Sequence, residues 1–336
     1  MGILEKLHTL IILLAVLAGL LLGQVGIIEA NAENLIVPFL LLMLYGLFLT
    51  IPIKDLKKAF VNYRFAGVSL AINFIWTPLL AWVLGAIFLS DHPALWIGFI
   101  MLMVTPCTDW YLVFTGIARG NLSLSTAILP VNLTLQVLLL PVYLLLFAGI
   151  MEAVDMSILI ESILLIIALP FLLANITRFL FYRAKKEKIL EEKLLPFFST
   201  GQIFFLSLAI LFMFASQGRY LIENISMVYT ILVPILVFFL INFIVSRIIS
   251  PMFNFSYEDS ASLTLTTLAR NSPLALAIAV TAFPDQPIIA LALIVGPLIE
   301  LPLLTGISQI LLRIRGNRNE PINESNIASE QRDPSE

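Results

Sequence analysis

The chain has 336 residues, 60 % of them hydrophobic and only 12 % charged, with a formal net charge of −3. Soluble globular proteins run nearer roughly 45–50 % apolar and about 25 % charged, so a soluble enzyme is excluded, and the charge balance offers nucleic acid no basic footprint. A mean hydropathy of +1.01, set against about 20 residues per transmembrane helix, predicts an all-α polytopic membrane protein of about ten spans.

In chain order, the apolar runs predict spans near 9–28, 35–53, 64–89, 94–117, 122–149, 157–182, 196–216, 226–249, 260–283 and 288–314. Turn-like breaks separate them, as at Ser90-Asp91-His92-Pro93 and Pro284-Asp285-Gln286-Pro287. The run after Lys6 is longer than a signal-peptide core, and it is read as the first span. With the N-terminus in the cytoplasm, all but two of the 19 basic residues, Arg219 and Arg270, fall on the inner side. The positive-inside rule therefore predicts a multi-pass protein of the cell membrane with both termini cytoplasmic. Residues 1–315 read as one transmembrane domain, and the polar, aperiodic segment 316–336 as a disordered cytoplasmic tail.

The two halves echo one another. Asn73 answers Asn242 at an offset of 169, Pro106 answers Pro273 at 167, and Pro130 answers Pro297 at 167. Five spans is an odd number, so the repeats, about 1–155 and 156–315, are expected to be inverted with respect to the membrane. The fourth span carries Thr105-Pro106-Cys107-Thr108-Asp109 at its centre, and the ninth Arg270-Asn271-Ser272-Pro273. Proline withholds a backbone donor, and a charge at mid-membrane costs about 3 kcal/mol on insertion scales. Both spans are therefore predicted to break there. Pro106 and Pro273 are the expected helix breaks, Cys107, Thr108, Asn271 and Ser272 the substrate contacts, and Asp109, Arg270 and Glu300 the charged groups of the site. Arg270 and Asp109 are also read as an ion pair locking the breaks. Other prolines in spans, Pro78 and Pro170 among them, are read as packing kinks. Asn73, Asn132, Gln136, Gln202 and Asn242 are read as polar ties between helices, and Ala15, Gly19 and Gly23 as a close-packing stripe.

At these residues the chain resembles the arsenite-efflux permeases of the bile acid/arsenite/riboflavin transporter superfamily. The likeness lies in TPCTDWYLVFTGIARGNLSLSTAILPVN and in ARNSPLALAIAVTAFPDQPIIALALIVGPLIELP. It implies a panel and a core domain, crossing broken helices at the fourth and ninth spans, and metalloid efflux in exchange for protons. The functional cysteine and glutamate of that family fall on Cys107 and Glu300. Two departures stand out: Asp109 replaces a small apolar residue, and Pro273-Leu274 replaces a Phe-Glu pair. The sodium-coupled bile-acid branch is similar in topology. Its sodium-binding Glu and Gln fall here on Thr266 and Arg270, and a fixed guanidinium disfavours sodium.

The expected function is thus a secondary transporter of arsenite or a related metalloid, with an organic-anion carrier as the alternative. Its partners are a metalloid or small anionic substrate, protons and the bilayer, with homo-oligomerisation left open. His8 and His92 give no metal-ligand spacing, and no nucleotide fingerprint or hydrolytic triad is present. Neither a cofactor nor an enzymatic reaction is expected, and transport should be gradient-driven.

Overall fold

The structure is a computed structural model that describes residues 3–50, 62–107, 110–148, 157, 161, 164–223 and 225–318. Regular structure among them is helical, apart from one two-residue antiparallel bridge between Pro106 and Arg270. The helices are α1 (Ile3–Leu22), α2 (Gly26–Thr50), α3 (Tyr63–Phe88), α4 (Pro93–Met103), α5 (Trp110–Ile117), α6 (Leu122–Ala148), α7 (Leu164–Arg183), α8 (Leu195–Glu223), α9 (Ile225–Met252), α10 (Tyr257–Leu268), α11 (Ser272–Ala282) and α12 (Pro287–Arg318). Seven helical stretches among the described residues are long and apolar enough to cross a membrane, and the apolar segments Leu13–Leu22, Pro93–Met103 and Ser272–Ala282 are shorter. The short ones at Pro93 and Ser272 belong to the two spans that the sequence predicts to be broken. Among the described residues, the helical order is interrupted at 104–107 and at 269–271. The segment joining the sequence-level repeats near residue 155 and the tail beyond 318 lie outside the described residues.

Prolines also shape the unbroken helices. Among the described residues, three π-helical turns occur, at Ile72–Trp76, Leu164–Ala168 and Leu190–Leu194. Each ends two residues before a proline: Pro78, Pro170 and Pro196. A proline ring collides with the carbonyl four residues back and leaves it without a donor, and a widened turn relieves that clash. Phe74 is the residue four before Pro78, and its carbonyl accepts instead from the Tyr143 hydroxyl at 2.7 Å. Pro78 and Pro170 are therefore more than packing kinks.

The helices pack in two groups. In one, α2 and α8 lie along each other, with α1 against α8 and α7 against α2. In the other, α4 packs on α12 and α3, α9 on α10 and α3, and α11 on α12. A Cβ on Gly19 would sit 2.4 Å from the Leu211 carbonyl oxygen, and one on Gly23 2.4 Å from that of Ala215. The Gly19/Gly23 stripe thus mates with α8 of the same chain.

Three of the five polar ties act as expected. Asn73 donates to the Thr266 carbonyl, Asn242 accepts from Trp76, and Gln202 donates to Thr50. Asn132 and Gln136, one turn apart on α6, are fully buried with no hydrogen-bond partner for either amide. They tie no helix.

Replacing Gly19 by Leu should force α1 off α8 and lower the thermal midpoint of the purified protein by an amount equivalent to about 1–3 kcal/mol. Leu17, 57 % exposed on the outer side of the same helix, should accept Phe with no change.

Candidate functional site

A helix ended inside a membrane leaves four carbonyls without donors, and no water is present to take them. Of the last four carbonyls of α4 and of α10, the first in each set is closed by the cap N–H and the other six take side-chain donors. At the end of α4, Ile100 O accepts from the Val104 N–H at 2.9 Å. The Thr105 hydroxyl lies 2.9 Å from Met101 O and 3.1 Å from Leu102 O, a bifurcated donor. Met103 O accepts from Arg270 Nη1 at 2.9 Å. At the end of α10, Leu265 O accepts from the Ala269 N–H at 3.1 Å and Thr266 O from Asn73 Nδ2 at 3.4 Å. Arg270 supplies the last two, through Nη2 to Thr267 O and Nε to Leu268 O.

The two breaks are joined by their backbones. Cys107 N–H donates to Ala269 O at 2.9 Å, and Asn271 N–H to Thr105 O at 2.7 Å. Pro106 and Arg270 sit opposite each other between these bonds, where an antiparallel pair turns its own N–H and C=O groups outward. Proline, having no N–H, leaves no donor unsatisfied there. Arg270 does have one, and Glu300 Oε1 on α12 accepts it at 2.8 Å. The Arg270 side chain is 1 % exposed. Its Nη2 also reaches Asn73 Oδ1 at 3.3 Å, and its Cζ lies 5.3 Å from the ring centroid of Phe238. The π-helical turn Ile72–Trp76 carries Asn73, so the proline at 78 places the amide that the arginine uses.

Beside the crossing lies a cavity of about 290 Å³. Cys107, Trp110, Asn271 and Pro273 line it from the breaks, Met43 and Leu47 from α2, and Ser199, Gln202 and Leu206 from α8. Its walls therefore come from both helix groups. Asn271 caps α11, its side-chain oxygen accepting from the Leu274 N–H at 3.2 Å.

The sequence-level site divides on this geometry. Cys107, Asn271, Arg270 and Pro273 border the cavity, while the Arg270 guanidinium is engaged with carbonyls of α4 and α10. Glu300, 4 % exposed, reaches the Arg270 backbone and is not a cavity residue. The Ser272 hydroxyl donates to Leu293 O on α12, and Pro106 occupies the bridge. Thr108 and Asp109, and with them the expected Asp109–Arg270 pair, lie outside the described residues. Sequence reasoning did not place Ser199 and Gln202 at the site. Their spacing of three on an apolar helix, with Leu206 four further on, is the signal that marks one face. Among the described residues, no group of three His, Cys, Asp or Glu side chains is placed to hold a metal ion.

Because Cys107 and Gln202 share the cavity, Gln202→Trp should slow alkylation of Cys107 by a small maleimide about tenfold by blocking access. Phe204→Trp, at a side chain 60 % exposed, should leave that rate unchanged.

Comparison with known proteins matches the sequence to a family of symporters. The family model described as "Sodium Bile acid symporter family" matches residues 37–224. The arsenical-resistance protein Acr3 of Corynebacterium glutamicum is 27 % identical, over 92 % of this chain and 89 % of its own length. An uncharacterised transporter of Synechocystis is 24 % identical over 92 % and 88 %, and the Acr3 of Alkaliphilus metalliredigens 21 % over 94 % of each. An all-helical membrane chain whose family match takes in α4, α5 and the bridge residues between them, and whose similarity runs nearly end to end with two arsenical-resistance proteins, belongs to the sodium bile acid symporter family.

Proposed function

We propose that the chain is a secondary active transporter that exports arsenite, or a related metalloid, in exchange for protons by alternating access. The observation that carries this reading is the position of the sole cysteine, Cys107, on the wall of the cavity at the helix crossing. Sulfur is a ligand for soft, thiophilic centres, and trivalent arsenic is one. A single sulfur holds such a centre loosely, which suits a carrier that has to release its load. Arsenous acid is uncharged at neutral pH. Arg270, the charged residue of the cavity lining among those described, spends its guanidinium on Met103, Thr267 and Leu268 behind the wall. Similarity to two arsenical-resistance proteins over more than nine-tenths of this chain supports the same cargo.

The rest of the reading follows the sequence. Ten spans form two inverted repeats, 1–155 and 156–315, in the plasma membrane with both termini cytoplasmic. The group α1, α2, α7 and α8 moves against the group that holds the crossing, opening the cavity to either side. Thr108 and Ser272 join Cys107 and Asn271 around the cargo. Glu300 and Asp109 take up protons. Protonating Glu300 weakens the charge-assisted bond that it accepts from the Arg270 N–H, which links proton uptake to the crossing itself.

A second reading, an organic-anion carrier, is favoured by the α11 N-terminus at the cavity wall, where anions are stabilised. The cavity is also close to the roughly 300 Å³ lower bound of organic-ligand pockets.

The test is arsenite accumulation in a metalloid-sensitive host lacking its own exporter. Wild type should lower accumulation relative to empty vector. Cys107→Ser should lose about tenfold or more of that efflux, the scale seen when a ligand environment at a soft centre is disturbed, and Glu300→Gln should lose most of it. Accumulation unchanged by wild type at verified membrane expression rejects arsenite and leaves organic anions. Wild-type efflux by Cys107→Ser rejects the thiol contact.

A further inference from the structure

Gln202 joins α8 to the end of α2, and the bond it makes there decides which end of its amide the cavity meets. Its Nε2 lies 3.1 Å from Thr50 Oγ1. The Thr50 hydroxyl in turn lies 3.0 Å from both Gly46 O and Leu47 O of its own helix. A hydroxyl has one hydrogen, and a carbonyl can only accept. The helix carbonyls hold that hydrogen, so Thr50 has only lone pairs left for Gln202. The amide therefore turns its NH2 group to Thr50 and its oxygen away from it. The anchor is itself fixed, because Arg178 Nη2 of α7 donates to the next two carbonyls, Phe48 O at 3.0 Å and Leu49 O at 2.6 Å. Gln202 lines the cavity and is half-buried, and among the described residues none donates to its Oε1. Of the other polar side chains in the wall, Asn271 gives its oxygen to the Leu274 N–H, and the Ser199 hydroxyl can give or take a hydrogen. A carboxamide oxygen can only take one.

We propose that Gln202 Oε1 is a hydroxyl-reading subsite: held in place by Thr50, it accepts a hydrogen from an O–H of the cargo and so selects neutral, hydroxylated metalloid acids over anions. The inference rests on the metalloid reading above and adds a second half to the recognition. Cys107 tests for a thiophilic centre, and Gln202, from the other helix group, tests for a hydroxyl attached to it. Arsenous acid carries both. A carboxylate or an oxyanion brings lone pairs and negative charge against the amide oxygen, where it meets repulsion instead of a donor. Because Thr50 has already oriented the amide, little rotamer freedom is lost when the cargo arrives.

The experiment measures arsenous acid transport by the purified full-length protein in proteoliposomes under a proton gradient. Methylmercury chloride serves as a thiophilic probe without a hydroxyl, and Cys107 is the one cysteine of the sequence that it can attack. Gln202→Met keeps the length of the side chain and removes the acceptor. Thr50→Val keeps the glutamine and frees its amide to turn. Each should raise KM for arsenous acid about fivefold, the loss expected from one neutral hydrogen bond, with little change in kcat. Inhibition by methylmercury should need the wild-type concentration in both, because that probe offers nothing to an acceptor. Thr50→Val decides the matter if Gln202→Met does not fold. A wild-type KM in either variant overturns the subsite and leaves the metalloid reading standing. So does an equal loss of affinity for arsenous acid and of sensitivity to methylmercury, which makes Gln202 a helix tie alone. Failure of the reconstituted wild type to transport arsenous acid overturns both.

Discussion

Breaking a helix in the middle of a membrane exposes backbone groups that lipid cannot satisfy, at a cost of several kcal/mol for each one left unpaired. This chain breaks two, and the ends of α4 and α10 present six carbonyls that no cap N–H closes and that cannot be left to lipid. Nearly every residue singled out at the crossing is there in answer to that constraint. Thr105 and Asn73 supply neutral donors, and Arg270 supplies charged ones to the three carbonyls that remain. The bridge between Thr105–Cys107 and Ala269–Asn271 ties the two connecting segments to each other through two backbone bonds, and Glu300 takes the one N–H that the bridge turns outward.

The same constraint makes the crossing stiff. Its atoms are tied to α3 through Asn73, to α9 through Phe238 and to α12 through Glu300 and the Ser272–Leu293 bond. On the far side of the cavity the polar groups are Ser199 and Gln202 of α8, and Gln202 is anchored to Thr50 of α2. One wall is thus a braced junction of several helices, and the other is the face of a helix pair. An ion or small solute between them touches main-chain-rich, pre-ordered surface on one side and ordinary side chains on the other.

Much of this was legible in the sequence, and what was not has a common cause. The two breaks showed because a proline close to a charged residue in an apolar run is costly in lipid unless the helix opens there. Helical content followed from composition and the membrane's thickness. The acceptors of Arg270 did not show, because they are carbonyls, which every residue has. Arg270 and Asp109, each three residues from a proline, suggested each other as partners, whereas the contacts that the structure describes for the guanidinium are backbone, an amide and a ring. Glu300 was legible as a buried carboxylate, but its partner is an N–H. Asn132 and Gln136 read like Asn73 and Asn242, and nothing in residue type separates amides that bridge helices from amides that do not. Ser199 and Gln202 were hidden because their role depends on which helix faces the breaks, a matter of packing between distant segments.

The π-helical turns ahead of Pro78, Pro170 and Pro196 carry a consequence for how this chain is compared with its relatives. A π turn accommodates a surplus residue without lengthening the helix by a turn, and one residue is worth about 100° of rotation in an α-helix. A homologue without the proline has no need of the surplus, so its length should differ by one residue within the turn and by none outside it. Placing that gap at a loop instead would rotate Phe65, Ala66, Val68 and Ser69, all buried on α3, away from their partners in the alignment.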